Sequence, residues 1–376
     1  MNEQTSQLRE ATFDDAQEAT KLLRNLGLIM PMGEAAIDAH WRRLWIDNPA
    51  MKGDGDKPLL GWVLEDQGKM VGFFGNIPLL YSYGERQVIV ADASQWGVEK
   101  DYRGQTSRLA EAYFSQAHVD LLLVTTGIKP TGRLFEQYGA HPIPQPDYDQ
   151  VLYWPVDGGG FLRATLRKKN APATLVSLLG GIGGLLIDSV MAISRRRPKG
   201  EASSVEVIGI DDIDDSFDHL WQTKQSEAAK LLACRSAACL RWHFGAKGMA
   251  ERSQILVYRQ DGALTGYAVV VQEDAPNIGL KRLKIVDFFI AGDNEQVLEA
   301  LLAKAYQLVR QTGCHVLEVI GLPVLLRTQV LRHRPFVRRM PTWPLYYKAC
   351  DDYLTGVLDL EAAWYVTPYD GDTSLF

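Results

Sequence analysis

The sequence predicts an α+β (mixed α/β) protein made of two similar domains in tandem, each a twisted mixed sheet flanked by helices. Three observations carry this expectation. Residues 88–113, VIVADASQWGVEKDYRGQTSRLAEAY, read as a buried strand, a short basic turn and an amphipathic helix. Apolar alternating runs flank Asp66-Gln67-Gly68-Lys69 and again Asp261-Gly262, both of them hairpin signals. The order of elements over residues 8–150 returns more loosely over 205–350, and 376 residues are too many for one ordinary domain.

Residues 8–12 start the first unit as a short strand, after which Asp14 caps a helix. That helix carries Ala19, Leu22, Leu23 and Leu26 as its apolar stripe and ends near Gly27. A second helix covers 35–45; strands 61–65 and 70–81 form the hairpin, and strand 87–98 follows. The helix from Thr106 sets Leu109, Ala112, Tyr113 and Gln116 on one face. A short buried strand, 121–126, leads to a helix over 131–138 that stops at Gly139.

The second unit has a strand at 205–210, a helix over 215–224, and strands 253–258 and 267–272 around the second hairpin turn. Strand 283–291 then precedes a helix over 296–312, with Val297, Leu301, Leu302, Ala305, Leu308 and Val309 as its stripe. Strand 315–320 closes the pattern. The expected division is 1–155 for the first domain, 156–203 for a connector and 204–376 for the second domain.

A formal net charge of −6 argues against a general nucleic-acid partner. The polar, acidic start MNEQTSQLREATFDDAQEAT is unlike a secretory signal. Cys234, Cys239, Cys314 and Cys350 show neither metal spacing nor a disulfide framework, so buried reduced thiols in a cytoplasmic protein are expected. The histidines are scattered, and no metal site is expected.

Within the connector, residues 171–193 carry one charge, Asp188. Arg163, Arg167, Lys168 and Lys169 precede the stretch, and Arg195, Arg196, Arg197 and Lys199 follow it. Cations at both ends, Gly180, Gly181, Gly183 and Gly184 at the centre, and Asp188 at depth all argue against a simple span. Two readings stay open. Residues 163–199 lie on an anionic membrane surface, peripheral on the inner face, or the stretch is an apolar connector packed across both domains.

The turn after strand 87–98 supplies Arg103, Gly104, Gln105, Thr106, Ser107 and Arg108, two cations and no acid. Backbone N–H groups opening onto a helix N-terminus suit a phosphorylated ligand. The matching turn of the second half, Gly292-Asp293-Asn294-Glu295, carries acids that would repel phosphate. A nucleotide-bearing ligand is therefore expected in the first half.

This stretch resembles motif A of the GNAT superfamily of acyl-CoA-dependent N-acyltransferases, with Val98 and Arg103-Gly104 in matching places. The family's later glycines are replaced by Thr106 and Arg108, and Thr106 is expected to cap the helix. The resemblance implies an acyl-CoA co-substrate between strands 87–98 and 121–126. Its thioester would be polarised by the backbone at Trp96, Gly97 and Val98, and its phosphates held by residues 103–108.

The resemblance also offers Asp92, six residues before Val98, as the general base, with Ser94 beside it. Alternation would put Asp92, Ser94, Trp96 and Val98 on one face. The plain alternative is that Asp92 and Ser94 satisfy hydrogen bonds at a strand bend. Phe135 stands where many relatives carry an acidic tyrosine, and Tyr138 is a turn away.

Two further stretches, RSAACLRWHF at 235–244 and the tail WYVTPYDGDTSLF, resemble GNAT proteins encoded with bacterial polysaccharide genes. The acceptor implied is a small-molecule amine, with an amino sugar as the specific suggestion. Aromatic core at Trp242 and Phe244 and a solvated turn around Gly371 are the plain readings of the same residues. A non-catalytic binding or scaffold protein on the same fold is the competing function, motivated by Thr106, Arg108 and Phe135.

Overall fold

Both hairpin turns form where the sequence places them. Gln67 and Gly68 adopt φ of +50° and +76°, and Asp261 and Gly262 adopt +51° and +84°. Positive φ at both central residues matches the right-handed twist of the flanking strands. The computed structural model describes residues 6–52, 57–125, 129–177, 180, 183–184, 189, 196–340 and 345–376.

Two mixed sheets with flanking helices are built from these residues. The first contains β1 (Gln7–Glu10), β2 (Gly61–Asp66), β3 (Lys69–Tyr83), β4 (Arg86–Val98), β5 (Leu121–Val124) and β6 (His141–Pro142). The second takes β7 (Gln150–Pro155) and β8 (Val205–Ile208), while β9 (Leu231–Ala233) returns to pair with β3. Next come β10 (Ser253–Gln260), β11 (Ala263–Gln272), β12 (Arg282–Ile290), β13 (Val316–Ile320), β14 (Phe336–Arg339) and β15 (Tyr346–Ala349). The orders are β1-β2-β3-β4-β5-β15-β6 and β8-β10-β11-β12-β13-β7-β14.

Each sheet is thus an antiparallel meander followed by one parallel pair, β4 with β5 and β12 with β13. The strand beyond each parallel pair is exchanged. β7 pairs with β13 in the second sheet, and β15 pairs with β5 in the first.

Helices α1 (Ala16–Asn25) and α2 (Glu34–Trp45) cover one face of the first sheet; α3 (Thr106–Phe114) and α4 (Lys129–Gln137) belong to the other. The entry to α1 differs from expectation. Asp15, rather than Asp14, accepts from the Thr12 N–H, and it also holds Arg9. The strand expected to reach Thr126 ends at Val124, and Thr126 lies outside the described residues.

Helix α5 (Gly158–Lys168) opens the connector. A Cβ on Gly184 would fall 2.5 Å from the Gly159 Cα, and one on Gly180 would fall 2.4 Å from Arg163 Cγ. These glycines permit close packing against α5. Of the 163–199 stretch given the membrane-surface expectation, most of 178–195 lies outside the described residues. Among the described residues no helix is long and apolar enough to cross a membrane.

Helix α6 (Ser216–Gln225) packs on β11, and α7 (Ala237–Phe244) is capped by Ser236, whose hydroxyl accepts from the Cys239 N–H. The sequence RSAACLRWHF therefore serves packing. Arg235 is wholly buried, Phe244 is core, and Trp242 Nε1 donates to the Arg43 carbonyl across the two halves.

Residues 364–375 form a buried strap from the second sheet to the first. Tyr365 donates to the Phe288 carbonyl, and Arg43 of α2 donates to the Leu375 carbonyl. Asp370 and Asp372 are buried, not solvated. Arg235 anchors the strap. Its guanidinium grips Asp287 at 2.9 and 3.0 Å, reaches Thr367 at 3.2 Å and lies 3.5 Å from Asp370. Burial pushes the Asp370 carboxyl up to about 6, against the pull of Arg235.

Removing one partner of a buried charge cluster leaves the others uncompensated. Arg235→Ala is expected to cost about 3–5 kcal/mol, read from the urea midpoint. Limited proteolysis of the variant should cut within 364–375 before the core sheets. A midpoint near wild type would contradict this role for Arg235.

Candidate functional site: a cleft where two strands part

The parallel pairing of β4 and β5 runs only through Val90↔Leu121, Ala91↔Leu122 and Asp92↔Leu123. β4 continues to Val98 with its other edge still paired to β3. From Ala93 onward, its β5-facing edge has no strand partner among the described residues. The strands part around a 740 Å³ cleft. That volume lies within the range of about 300–1,000 Å³ usual for small-molecule sites.

Trp96, Gly97 and Val98 line the cleft, as do Ser94, Arg103 and Thr106. Phe135 forms part of its apolar wall, 2% exposed, between Trp96 and Phe114. Arg103 is the one charged side chain among the described lining residues, and its guanidinium has no partner among the described residues. Two buried polar atoms in the wall, Trp96 Nε1 and Gln95 Oε1, also lack hydrogen-bond partners. The wedge is open, and it presents one cation with unused polar groups.

The turn itself differs from a row of free amides. Residues Lys100–Gln105 form a 3₁₀ helix leading directly into α3, and the Thr106 N–H already donates to the Arg103 carbonyl. Thr106 does not cap α3; its hydroxyl turns back to the same Arg103 carbonyl at 2.8 Å. Arg108 turns away, donating to the Ser6 carbonyl at 2.9 Å and to Gln105 at 2.6 Å. Ser107 accepts from Tyr138 through its carbonyl, which occupies that tyrosine away from the cleft. A Cβ on Gly104 would meet nothing within 4 Å, so the backbone there lies open.

One expectation about β4 is corrected. Gln95 is an extra residue, at φ of +55°, where the register shifts from Gly75↔Ser94 to Phe74↔Trp96. A bulge of one residue reverses the alternation beyond it. Trp96 stacks on Phe74 and shares the α3 face with Val98. Asp92 and Ser94 face the opposite way, toward the strap.

There the strap covers them. Ser94 donates to Asp372 at 2.9 Å, and Thr125 donates to the other Asp372 oxygen at 2.9 Å. Thr125 also lies 3.3 Å from Asp92, which is wholly buried. Ser94 reaches the cleft, whereas Asp92 stands behind it. Burial, and next the Asp372 carboxylate, raise the Asp92 carboxyl well above its ordinary value.

Sequence reasoning missed Asp372, Thr125 and His40. Gln95 Nε2 lies 2.9 Å from His40 Nε2 at the cleft wall. Burial, then the charge of Arg43, lowers His40 to about 4, so its ring is neutral near pH 7. The tail that carries Asp372 was marked only by the resemblance, and its place in the site was not legible because Asp372 meets Ser94 across 278 positions.

In the second half, Asn294 caps α8 (Glu295–Gln311), and Asp293 is held by Lys224 and Lys230. That turn is closed by its own ion pairs. Among the described residues no group of three His, Cys, Asp or Glu could hold a metal.

No protein-family model matches the chain, and no curated protein sequence matches it significantly. Solved structures do match. A GCN5-related N-acetyltransferase from Anabaena variabilis superposes with a TM-score of 0.58 at 13% identity, over 92% of this chain and 73% of that one. Another from Kribbella flavida gives 0.54 at 14% identity, over 93% and 73%. A conserved protein from Enterococcus faecalis gives 0.58 at 10%, over 92% and 73%. The chain therefore has the GNAT fold.

A carboxyl raised by folding holds its proton more tightly in the native state than in the unfolded chain. Stability from Asp92 is then fullest below about pH 4 and falls as pH rises from there toward the folded value. Asparagine has no such proton to lose. Asp92→Asn should raise the melting temperature by about 2 °C or more at pH 8, and by less at pH 4. Equal shifts at both pH values would contradict the buried-carboxyl account.

Proposed function

We propose that this chain is an acyl-CoA-dependent N-acyltransferase whose donor enters the cleft between β4 and β5. The observation that carries the reading is the open wedge beside an unpaired strand edge, with Arg103 as the one cation in its described wall. The apolar wall of Trp96, Val124, Leu134 and Phe135 suits an acyl chain and its thioester arm. Arg103 suits the anionic end, and the backbone at Trp96, Gly97 and Val98 offers donors for a developing oxyanion.

In this reading the acceptor is a small-molecule amine. Its lone pair forms the C–N bond, the C–S bond breaks, and the thiolate takes up a proton. The Asp372 carboxylate, reached through the Ser94 hydroxyl that donates to it, is the group best set to receive a proton from the amine. Asp92 stands behind as a positioning residue through Thr125. In this reading the leaving thiolate takes its proton from water. The amino-sugar suggestion drew on residues 235–244, which serve packing; it gains no support there.

Calorimetry with coenzyme A and acetyl-CoA tests the donor. Micromolar binding is expected, with Arg103→Glu weakening it at least about tenfold through loss and reversal of one charge. Absence of binding by wild type would favour the non-catalytic scaffold. Ser94→Ala should lower kcat with little change in coenzyme A affinity, measured by thiol release.

A further inference from the structure

A second cavity, of 300 Å³, opens beside the parallel pair of the second sheet. Lys284 on β12 and Glu318 on β13, directly paired in register, both line it. Three buried polar atoms without a hydrogen-bond partner belong to its wall: Arg252 Nε, Glu318 Oε2 and Thr373 Oγ1. Glu318 is 4% exposed. Such orphans are costly unless a ligand or water meets them. The rest of the wall is largely apolar, including Val271, Ile285 and Ile320.

The charges favour an anion with a donor attached. Glu318 already holds Arg338 at 3.0 Å, and Glu273 holds Lys284 at 2.6 Å. Arg282 bridges the two acids, at 3.2 Å from Glu273 and 3.8 Å from Glu318. Arg252 adds a fourth cation, leaving four positive side chains around two carboxylates. A guanidinium with a free N–H recognises carboxylate, and a carboxylate oxygen with a free lone pair accepts from ammonium.

The partition from the donor cleft is one chain thick. Asp372 accepts from Ser94, a cleft residue, while Thr373 and Ser374 line the second cavity. Phe376 also lines this cavity and stacks on His40, at 5.6 Å between centroids, which in turn contacts Gln95 of the cleft.

We propose that this cavity binds an apolar α-amino acid, with its carboxylate toward Arg252 and its ammonium toward Glu318 and Thr373.

Calorimetry on the full chain tests the site without any donor. L-phenylalanine, L-leucine and L-methionine are the probes, with phenethylamine and hydrocinnamate lacking one charged end each. At least one amino acid should bind, and both controls and the variants Arg252→Ala and Thr373→Val should weaken it at least about tenfold. Both variants should keep the wild-type urea midpoint, which shows that they fold. No binding by any of the three, or equal binding by Arg252→Ala, overturns the site.

Discussion

A single buried cation organises this molecule. Arg235 meets Asp287 of the second sheet and Thr367 and Asp370 of the strap with no exposure to water. Burying charge is unfavourable unless it is compensated, so these groups are bound to one arrangement. The strap then has a fixed path, and Asp372 arrives at Ser94 and Thr125 as a result. Both cavities share that strap as a wall. Remove its anchor, and the cleft loses its polar backing while the second cavity loses Thr373 and Ser374.

The bulge at Gln95 divides the chemistry. Before it, Asp92 and Ser94 point toward the strap; beyond it, Trp96 and Val98 point toward α3. One strand therefore furnishes two surfaces, an apolar bed for a ligand and a polar bank behind it. The partly exposed His40 joins that bank through Gln95, neutral because burial disfavours its charged form.

What the sequence made legible was local. The start of α3 at Thr106 and both hairpin turns follow from short-range periodicity and turn chemistry, whereas the parallel arrangement of strands 87–98 and 121–126 was implied by the resemblance alone. The bulge was not legible, since Gln95 carries no glycine signal and alternation was assumed to continue. Arg108 reads as an anion ligand in a linear motif, yet Ser6 competes for it from 102 positions away. The strap looked like a polar tail because its aspartates are compensated by residues far along the chain. Asp92 could be picked out through the resemblance, but its seclusion behind Asp372 depends on a contact that no window of residues contains.

The exchanged strands bear on how the chain assembles. β13 cannot complete its sheet without β7, which is made long before it; β5 waits for β15, more than two hundred residues later. During synthesis, the edge of β5 stays unpaired until residues 346–349 have emerged. An open edge invites pairing with neighbouring chains. That edge is an aggregation hazard until β15 arrives, and cutting the chain between the halves would leave each sheet without the strand that the other half lends it.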